Sequence, residues 1–324
     1  MKRIHQLSVA LLQVIASVAT PLWSQQNPRQ QLVAAMKTMQ TGAYDQAIYE
    51  LQPLTDSSGL SKDEQGRAWT LLGYSYKEGG SFRRAQTAYE KALAIFRGDT
   101  QNRLDYANVL NNLADLYRDT GQLAMAKDIW TRALPIYAEL GSGLCISEIY
   151  TNLAGIAVEL NKKGEAKKLM AKAEAESKVS SEMTDDARAG MAITEGWIAA
   201  ADGHHAQALS EYQDALGRWR VSHGERHPLT AWGYVLVGKA YAENGQLPEA
   251  RENVQRGLAI LKNVAGPQNP KYLAGEMVYS AILRSSGMTS EASTLRSSAQ
   301  RSLDELRTQQ CANCTISVST LLPR

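Results

Sequence analysis

Two cysteines near the end of the sequence have the spacing of a redox or zinc-binding motif. Cys311 and Cys314 form a CxxC sequence, which works as a redox centre where a helix start lowers the thiol pKa. Here the pair follows the last predicted helix, and no second pair completes a zinc site. We therefore expect a local disulfide between them in an oxidising compartment. A thiol oxidoreductase is the catalytic alternative, and Cys145 is expected to be a small buried or partly buried hydrophobe.

The histidines raise the question of a metal site. His204 and His205 are adjacent, and His223 and His227 have the i, i+4 spacing of metal ligands on one helix. However, proline favours the first turn of a helix, so His227 followed by Pro228 begins a new helix. No HExxH motif, glycine-rich phosphate loop or GxSxG elbow accompanies them. The sequence therefore predicts no metal, no cofactor and no enzymatic activity.

The first 24 residues resemble an export signal. Lys2 and Arg3 precede a mostly apolar stretch over residues 7–19, and Pro21 and Ser24 follow it. This pattern predicts a signal peptide over residues 1–24, with Ala19 as the other candidate for the last residue removed. The rest of the chain would then be periplasmic or secreted. No later stretch reaches the roughly 20 apolar residues of a membrane span.

Charge argues against nucleic acid as a partner. Without residues 1–24, the chain has 33 Lys and Arg against 33 Asp and Glu. A nucleic-acid or anionic-membrane surface requires clustered basic residues. The neutral chain has no such basic excess, and 44% hydrophobic residues are typical of a folded globular protein rather than a disordered one.

A repeated helical pattern organises the sequence. Its strongest copy has Trp69, Leu72, Gly73 and Tyr76 on one helix, followed by Gly80 at a turn. The large residues form a buried stripe, while the small ones allow neighbouring helices to approach closely. Equivalent turn positions recur every 38 to 42 residues, at Gly42, Gly80, Gly121, Asn161, Gly203, Gly245 and Gly287. The pattern predicts seven helical hairpins near 28–60, 66–98, 107–140, 147–178, 187–220, 231–264 and 273–308.

These repeats resemble the kinesin-light-chain subfamily of tetratricopeptide repeats. The resemblance is strongest in the run from Leu110 to Tyr137 and in the loop from Gly224 to Ala231, of which Gly266 to Pro270 is a degenerate copy. It extends over residues 28–308 and, with the predicted signal, indicates an exported protein of bacterial type. It implies an all-α, right-handed superhelical solenoid over residues 25–310, with residues 311–324 as a tail.

The resemblance also implies a concave groove lined by the first helix of each hairpin. Asn112 and Asn152 each precede a buried leucine, and similar repeats use an asparagine there to bind the main chain of an extended peptide. The alternative is that these asparagines are merely exposed or bond to adjacent hairpins. Tyr74, Trp197 and Trp232 are either binding anchors or packing residues. The full set of candidates is Tyr74, Lys77, Asn108, Asn111, Asn112, Asp115, Arg118, Asn152, Trp197, Trp232 and Lys239, with Thr194, Val235 and Leu236 also in phase.

We therefore expect a non-catalytic scaffold that binds an extended segment of a partner protein. The competing hypothesis is a structural assembly factor of an envelope or secretion complex that acts through self-association or through its outer surface.

Overall fold

The structure is a computed structural model that describes residues 27–310, and helices are the only regular secondary structure in this part of the chain. The predicted signal peptide and the Cys311–Cys314 pair lie outside the described residues. Fourteen α-helices and one 3₁₀ turn, Gln52–Leu54, make up the described part. The helices are α1 Pro28–Gln40, α2 Tyr44–Leu51, α3 Lys62–Glu78, α4 Phe82–Phe96, α5 Arg103–Asp119, α6 Leu123–Glu139, α7 Gly143–Glu159, α8 Lys163–Val179, α9 Asp185–Ala201, α10 His205–His223, α11 Pro228–Glu243, α12 Leu247–Val264, α13 Pro270–Ser285 and α14 Thr289–Gln310.

The helices pair into seven hairpins, each closed by a three-residue turn, as the sequence predicts. The middle residue of every turn has a positive φ, from 58° at Asn161 to 82° at Gly287. In the second hairpin the main-chain N–H of Ser81 donates to the oxygen of Tyr76 at 2.7 Å, and that of Gly80 donates to Lys77 at 3.0 Å. This arrangement needs a left-handed residue, which glycine and asparagine adopt at least cost.

Within the hairpins, a small residue on the first helix faces a large one on the second. A methyl group added at Gly73 would lie 2.6 Å from Tyr89 Cε1, and one at Gly196 would lie 2.4 Å from Tyr212 Cε1. Both tyrosines are fully buried. The predicted close approach of the two helices is therefore confirmed, and it explains why glycine occupies these positions.

The last two hairpins of the solenoid contact the first two. A methyl group at Gly42 would lie 2.4 Å from Pro228 Cδ, and one at Gly80 would lie 2.8 Å from Pro270 Cδ. The turns of the first two hairpins thus contact the helix starts of the last two. We call these two contacts the clasp. The clasp therefore brings together hairpins that are far apart in the sequence, around the concave surface that the sequence predicted.

Among residues 27–310, no helix has both the length and the apolar composition required to cross a bilayer.

Candidate functional site

The first helices of successive hairpins surround a cavity of about 390 Å³, which we call the charged chamber. Its wall includes residues of α3, α5, α7, α9, α11 and α13, so the first helices line the interior as predicted. The predicted residues in this wall are Tyr74, Lys77, Asp115, Arg118, Asn152, Trp197 and Trp232.

Lys77 is the centre of an ionic network in the chamber wall. Its side chain is only 5% exposed, and its ammonium contacts the carboxylates of Asp115, Glu78 at 3.1 Å and Asp119 at 3.6 Å. Burial alone would lower the pKa of Lys77, but Asp115 and Glu78 hold it well above the ordinary value. The lysine is therefore charged, and its charge is compensated from two adjacent hairpins.

Arg118 links the same network to the next hairpin. Its guanidinium contacts Asp115 at 2.5 Å and Asp119 at 3.2 Å, and it donates to the amide oxygen of Asn152 at 2.6 Å. Burial opposes ionisation of Asp115, but Arg118 and Lys77 together hold its pKa below the ordinary value. For Asp119, burial and the nearby Asp115 raise the pKa. The amide oxygen of Asn152 is thus already occupied by Arg118.

On the side of α13, polar contacts beside the clasp complete the chamber wall. The amide of Asn269 donates to the main-chain oxygen of Glu78 at 2.8 Å, and the Lys271 ammonium contacts the Glu78 carboxylate. Burial disfavours the charged form of Glu78, but Lys271 and Lys77 lower its pKa to about 2. The Glu78 carboxylate therefore stays ionised, and its ion pair with Lys271 links the second hairpin to the last.

Aromatic side chains form the apolar part of the chamber wall. The ring of Trp197 lies over Gly155, where an added methyl group would be 3.3 Å from Cζ3. Tyr74 makes an edge contact with Tyr44, with ring centroids 6.2 Å apart. The predicted aromatic residues therefore both pack between helices and face the cavity. The indole N–H groups of Trp197 and Trp219 are buried without a hydrogen-bond partner among the described residues.

A second cavity, of about 550 Å³, lies between α1, α3, α5 and α7. We call it the asparagine cleft, because Asn108, Asn111 and Asn112 line it. Trp130 donates its indole N–H to Asn111 at 2.7 Å, and the Tyr137 hydroxyl donates to Asn108 at 2.8 Å. These two amide oxygens hold the second helix of their own hairpin. Asn112 has no side-chain hydrogen bond to the described part of the chain, so its amide is available to a ligand.

Glu148 is a site residue that the sequence analysis missed. It lies on α7 one turn before Asn152 and lines the asparagine cleft. Burial, with the negative charges of Asp115 and Asp186, raises the pKa of Glu148 to about 7. Glu148 follows the same groove-facing register as Asn152, so extending the in-phase set by one turn would have included it.

Three in-phase residues of the sixth hairpin are placed differently from the prediction. Val235 and Leu236 are buried, and Lys239 is 4% exposed and contacts Glu243 at 2.6 Å. None of them lines the charged chamber or the asparagine cleft. The reason is that α11 packs against α10, α12 and α13, which cover most of its surface.

The two asparagines predicted to bind a peptide main chain together line different cavities. Asn112 lies in the asparagine cleft and Asn152 in the charged chamber, so they do not form one continuous ladder.

His223 and His227 pack together beside the clasp. Their rings stack with centroids 4.2 Å apart, and His223 contacts Asp186 at 2.7 Å. His227 caps α11 by accepting from the main-chain N–H of Leu229 at 3.2 Å. These contacts give both residues a structural role. No group of three or more potential metal ligands occurs within residues 27–310.

Comparison with known proteins identifies the repeat. Models of the tetratricopeptide repeat match residues 66–99, 105–175 and 196–263, together more than half of the chain. Protein KINESIN LIGHT CHAIN-RELATED 2 of Arabidopsis thaliana is 26% identical over 247 residues, which cover 74% of this chain and 37% of that protein. The chain thus spans little more than a third of the length of this curated relative. The predicted resemblance to kinesin-light-chain repeats is confirmed.

Solved structures share the fold at low sequence identity. The Rap conjugation gene regulator of the plasmid pLS20, solved in complex with the Phr* peptide, has a TM-score of 0.67 at 14% identity. That match covers 91% of this chain and 80% of the regulator. A Rap protein complexed with Competence and Sporulation Factor has a TM-score of 0.60 at 14% identity, with 87% and 78% covered. An all-α helical repeat solenoid is therefore established.

Proposed function

Because the chain belongs to the tetratricopeptide repeat family, we propose that it is a non-catalytic scaffold that binds an extended segment of a partner protein inside its solenoid. The observation that carries this proposal is the concave interior, in which polar and aromatic side chains from successive first helices face two partly open cavities. The side-chain amide of Asn112, which has no partner in the described residues, both donates and accepts. It is therefore suited to a peptide main chain of any sequence.

The size of the two cavities favours an extended ligand over a folded one. The chamber and the cleft are about 390 and 550 Å³, the size range of small-ligand sites. A folded domain would need a far larger surface than these cavities present. One structure of the same fold, the Rap conjugation gene regulator, was solved in complex with the Phr* peptide, which supports a peptide ligand by analogy.

Affinity capture tests where the partner binds. The full chain would be used as bait beside an Asn112→Ala variant and an Asn112→Ala, Asn152→Ala double variant. Asn253→Ala on the exposed side of α12 is the matched control, because its amide bonds only to the main chain of its own helix. We expect the partner to be lost with the groove variants and retained with the control. Since Asn112 has no internal partner, the single variant should keep its circular dichroism spectrum.

The competing hypothesis makes the opposite prediction. An assembly factor that acts through its outer surface would retain its partner in both groove variants, and light scattering would show self-association. Retention of the same partner by all variants would therefore contradict binding in the interior.

We further propose that the protein acts outside the cytoplasm. The basic start, apolar stretch and small residue at position 24 support this. Sequencing the amino terminus of the protein recovered from its native cell tests the proposal. A mature chain that begins near Gln25, or directly after Ala19, is the expected result. A chain in the cytoplasmic fraction that still begins at Met1 would contradict it.

A further inference from the structure

The charges that line the asparagine cleft do not balance. Arg29 contacts Glu64 at 2.7 Å, and Arg67 contacts Asp105 at 2.9 Å. Each cation of the cleft therefore has its own carboxylate. Glu148 lines the same cleft and has no hydrogen bond or ion pair with the described residues. One acidic side chain is left without a cation.

The surroundings of Glu148 favour a cationic ligand over any other. The nearby Asp115 and Asp186 carry the same charge and disfavour its ionisation. An unpaired carboxylate in a partly buried site is costly, and a cation that enters the site offsets this cost with a charge-assisted hydrogen bond. An anionic ligand would add repulsion from Glu148.

The cleft also fits the shape of a basic side chain. Its apolar wall includes Leu32, Met36 and Leu71, while Glu148 supplies the charge. Lysine and arginine combine an aliphatic stem with a charged end, so the stem packs on apolar surface while the charge reaches a carboxylate. A small inorganic cation would make no use of the apolar wall.

We propose that Glu148 binds a lysine or arginine side chain of the segment held in the asparagine cleft, with Asn112 bonding to that segment's main chain. This inference rests on the proposed function and adds the chemical class of the ligand. It makes Glu148 a specificity-determining residue: the scaffold selects segments that carry a basic residue at one position.

Pools of short synthetic peptides test the inference. Each pool is acetylated and amidated, so that no terminal charge substitutes for a side chain, and has its central position fixed as Arg, Lys, Gln or Glu. Binding to the full chain is measured by fluorescence polarisation. We expect the Arg and Lys pools to bind about 10-fold or more tightly than the Gln pool, and the Glu pool to bind most weakly.

Two variants separate specificity from structure. Glu148→Gln should bring the Arg and Lys pools to the level of the Gln pool. Glu195→Gln is the matched control: this carboxyl is also partly buried with a pKa raised to about 7, by burial and by Glu211, but it lines neither cavity. The control should keep the full preference for basic pools.

The outcomes distinguish the two levels of the proposal. Wild-type protein that binds the pools without preference for Arg or Lys overturns the role of Glu148 and leaves peptide binding intact. A preference for the Arg and Lys pools that persists in Glu148→Gln likewise overturns the role of Glu148 and leaves peptide binding intact. If wild-type protein binds none of the pools, peptide binding itself is contradicted, and the role of Glu148 with it.

Discussion

The side-chain amide of Asn269 donates a 2.8 Å hydrogen bond to the main-chain oxygen of Glu78, which lies 191 residues earlier in the chain. Asn269 is 3% exposed, and its oxygen simultaneously caps α13 by accepting from the N–H of Lys271 at 2.9 Å. One side chain therefore begins the last hairpin and attaches it to the second. A repeat array usually has contacts only between neighbouring units, so this bond, like the two glycine–proline contacts of the clasp, is an additional link between distant hairpins.

The first prediction concerns the strength of the clasp. Asn269→Asp keeps the capping oxygen and replaces the donor with an oxygen that faces the Glu78 carbonyl. We expect it to destabilise the protein by about 1–3 kcal/mol and to increase the radius of gyration. Asn27→Asp is the control, because Asn27 caps α1 by accepting from Gln30 at 2.9 Å and takes no part in the clasp. Thermal unfolding and small-angle X-ray scattering measure both effects; equal behaviour of the two variants would argue against the clasp.

A second prediction concerns the buried lysine of the charged chamber. Lys77→Met leaves Asp115, Glu78 and Asp119 without their shared cation, and removal of one partner from a buried ionic network costs about 3–5 kcal/mol. Lys127→Met removes the cation of a pair in which the side chains are 57% and 42% exposed. Its cost should stay below about 1 kcal/mol. Urea denaturation monitored by circular dichroism compares the two, and similar midpoints would contradict the role given to Lys77.

The third prediction concerns the close approach of paired helices. Gly196→Ala places a methyl group 2.4 Å from the buried ring of Tyr212, so the helices must shift, at a cost of about 1–3 kcal/mol. Gly217→Ala introduces the same methyl group where nothing lies within 4 Å. There the better helix propensity of alanine should stabilise the protein by about 0.5–1 kcal/mol. Opposite changes in melting temperature are expected; a stabilised Gly196→Ala variant would rule out the tight contact.

The fourth prediction concerns acid stability. Burial, followed by the neighbouring His223, lowers the pKa of His227 to about 4, although Asp186 and Glu78 oppose the shift and Lys271 adds to it. The unfolded chain therefore takes up this proton first as the pH falls, near the ordinary value of 6.5. The stability that the neutral imidazole contributes is present above pH 6.5 and is lost as the pH falls to about 4.

His227→Asn tests this while keeping a side-chain oxygen at the cap of α11. Between pH 6.5 and 4, the wild-type protein should lose about 2 kcal/mol more stability than the variant. His204→Asn, which removes an exposed imidazole at the start of α10, is the control. Parallel pH profiles for the wild type and His227→Asn would show that protonation of His227 is not coupled to folding.

The fifth prediction concerns Glu148, whose contribution to stability changes with pH in the direction opposite to that of His227. Its pKa of about 7 lies above the ordinary 4.5, so the folded state retains the proton longer than the unfolded state. The stability that the protonated Glu148 carboxyl contributes is fully present below pH 4.5 and is lost as the pH rises through 7. Glu148→Gln should therefore become more stable than wild type over this range, by about 2 kcal/mol at pH 8. The charged groups that surround this site are Asp115, Asp186, Arg29, Glu64, Arg67 and Asp105.

Ligand binding gives an independent measure of the same group. Because a basic side chain prefers the ionised carboxylate, affinity for the Arg pool should rise from pH 5.5 to 8 in the wild type and stay flat in Glu148→Gln. A stability gain without a change in pH-dependent affinity would identify Glu148 as a strained carboxyl with no role in binding.

The repeat and its local geometry follow from the sequence alone. Seven turn positions, including Asn161 in place of glycine, were predicted from spacing, and all seven adopt a positive φ. The small residue at Gly73 was expected to allow close helix packing, and it faces a buried tyrosine, as does Gly196 in the fifth hairpin. These features are local: a turn needs one left-handed residue, and a hairpin buries a stripe with helical period. Residues within about 20 positions of each other determine them.

The use of individual side chains in the interior depends on tertiary contacts. Asn111 and Asn112 are adjacent in the sequence, yet the Trp130 indole occupies the first and leaves the second free. Val235 and Leu236 are in phase with groove residues but are buried. A helical period gives the direction of a side chain relative to its own helix; whether another helix covers that direction is set by packing between hairpins.

The closure of the solenoid is decided by the tertiary structure alone. Its two contacts use the prolines of two related loops, Pro228 and Pro270, against Gly42 and Gly80, and the sequence shows these four residues only as separate helix starts and turns. Each repeat adds a small rotation to the one before, and the distant hairpins meet only through the sum of these rotations over the hairpins between them. No single motif encodes the total rotation between distant hairpins. The turns and buried stripes that build each hairpin, by contrast, are visible as motifs in the sequence.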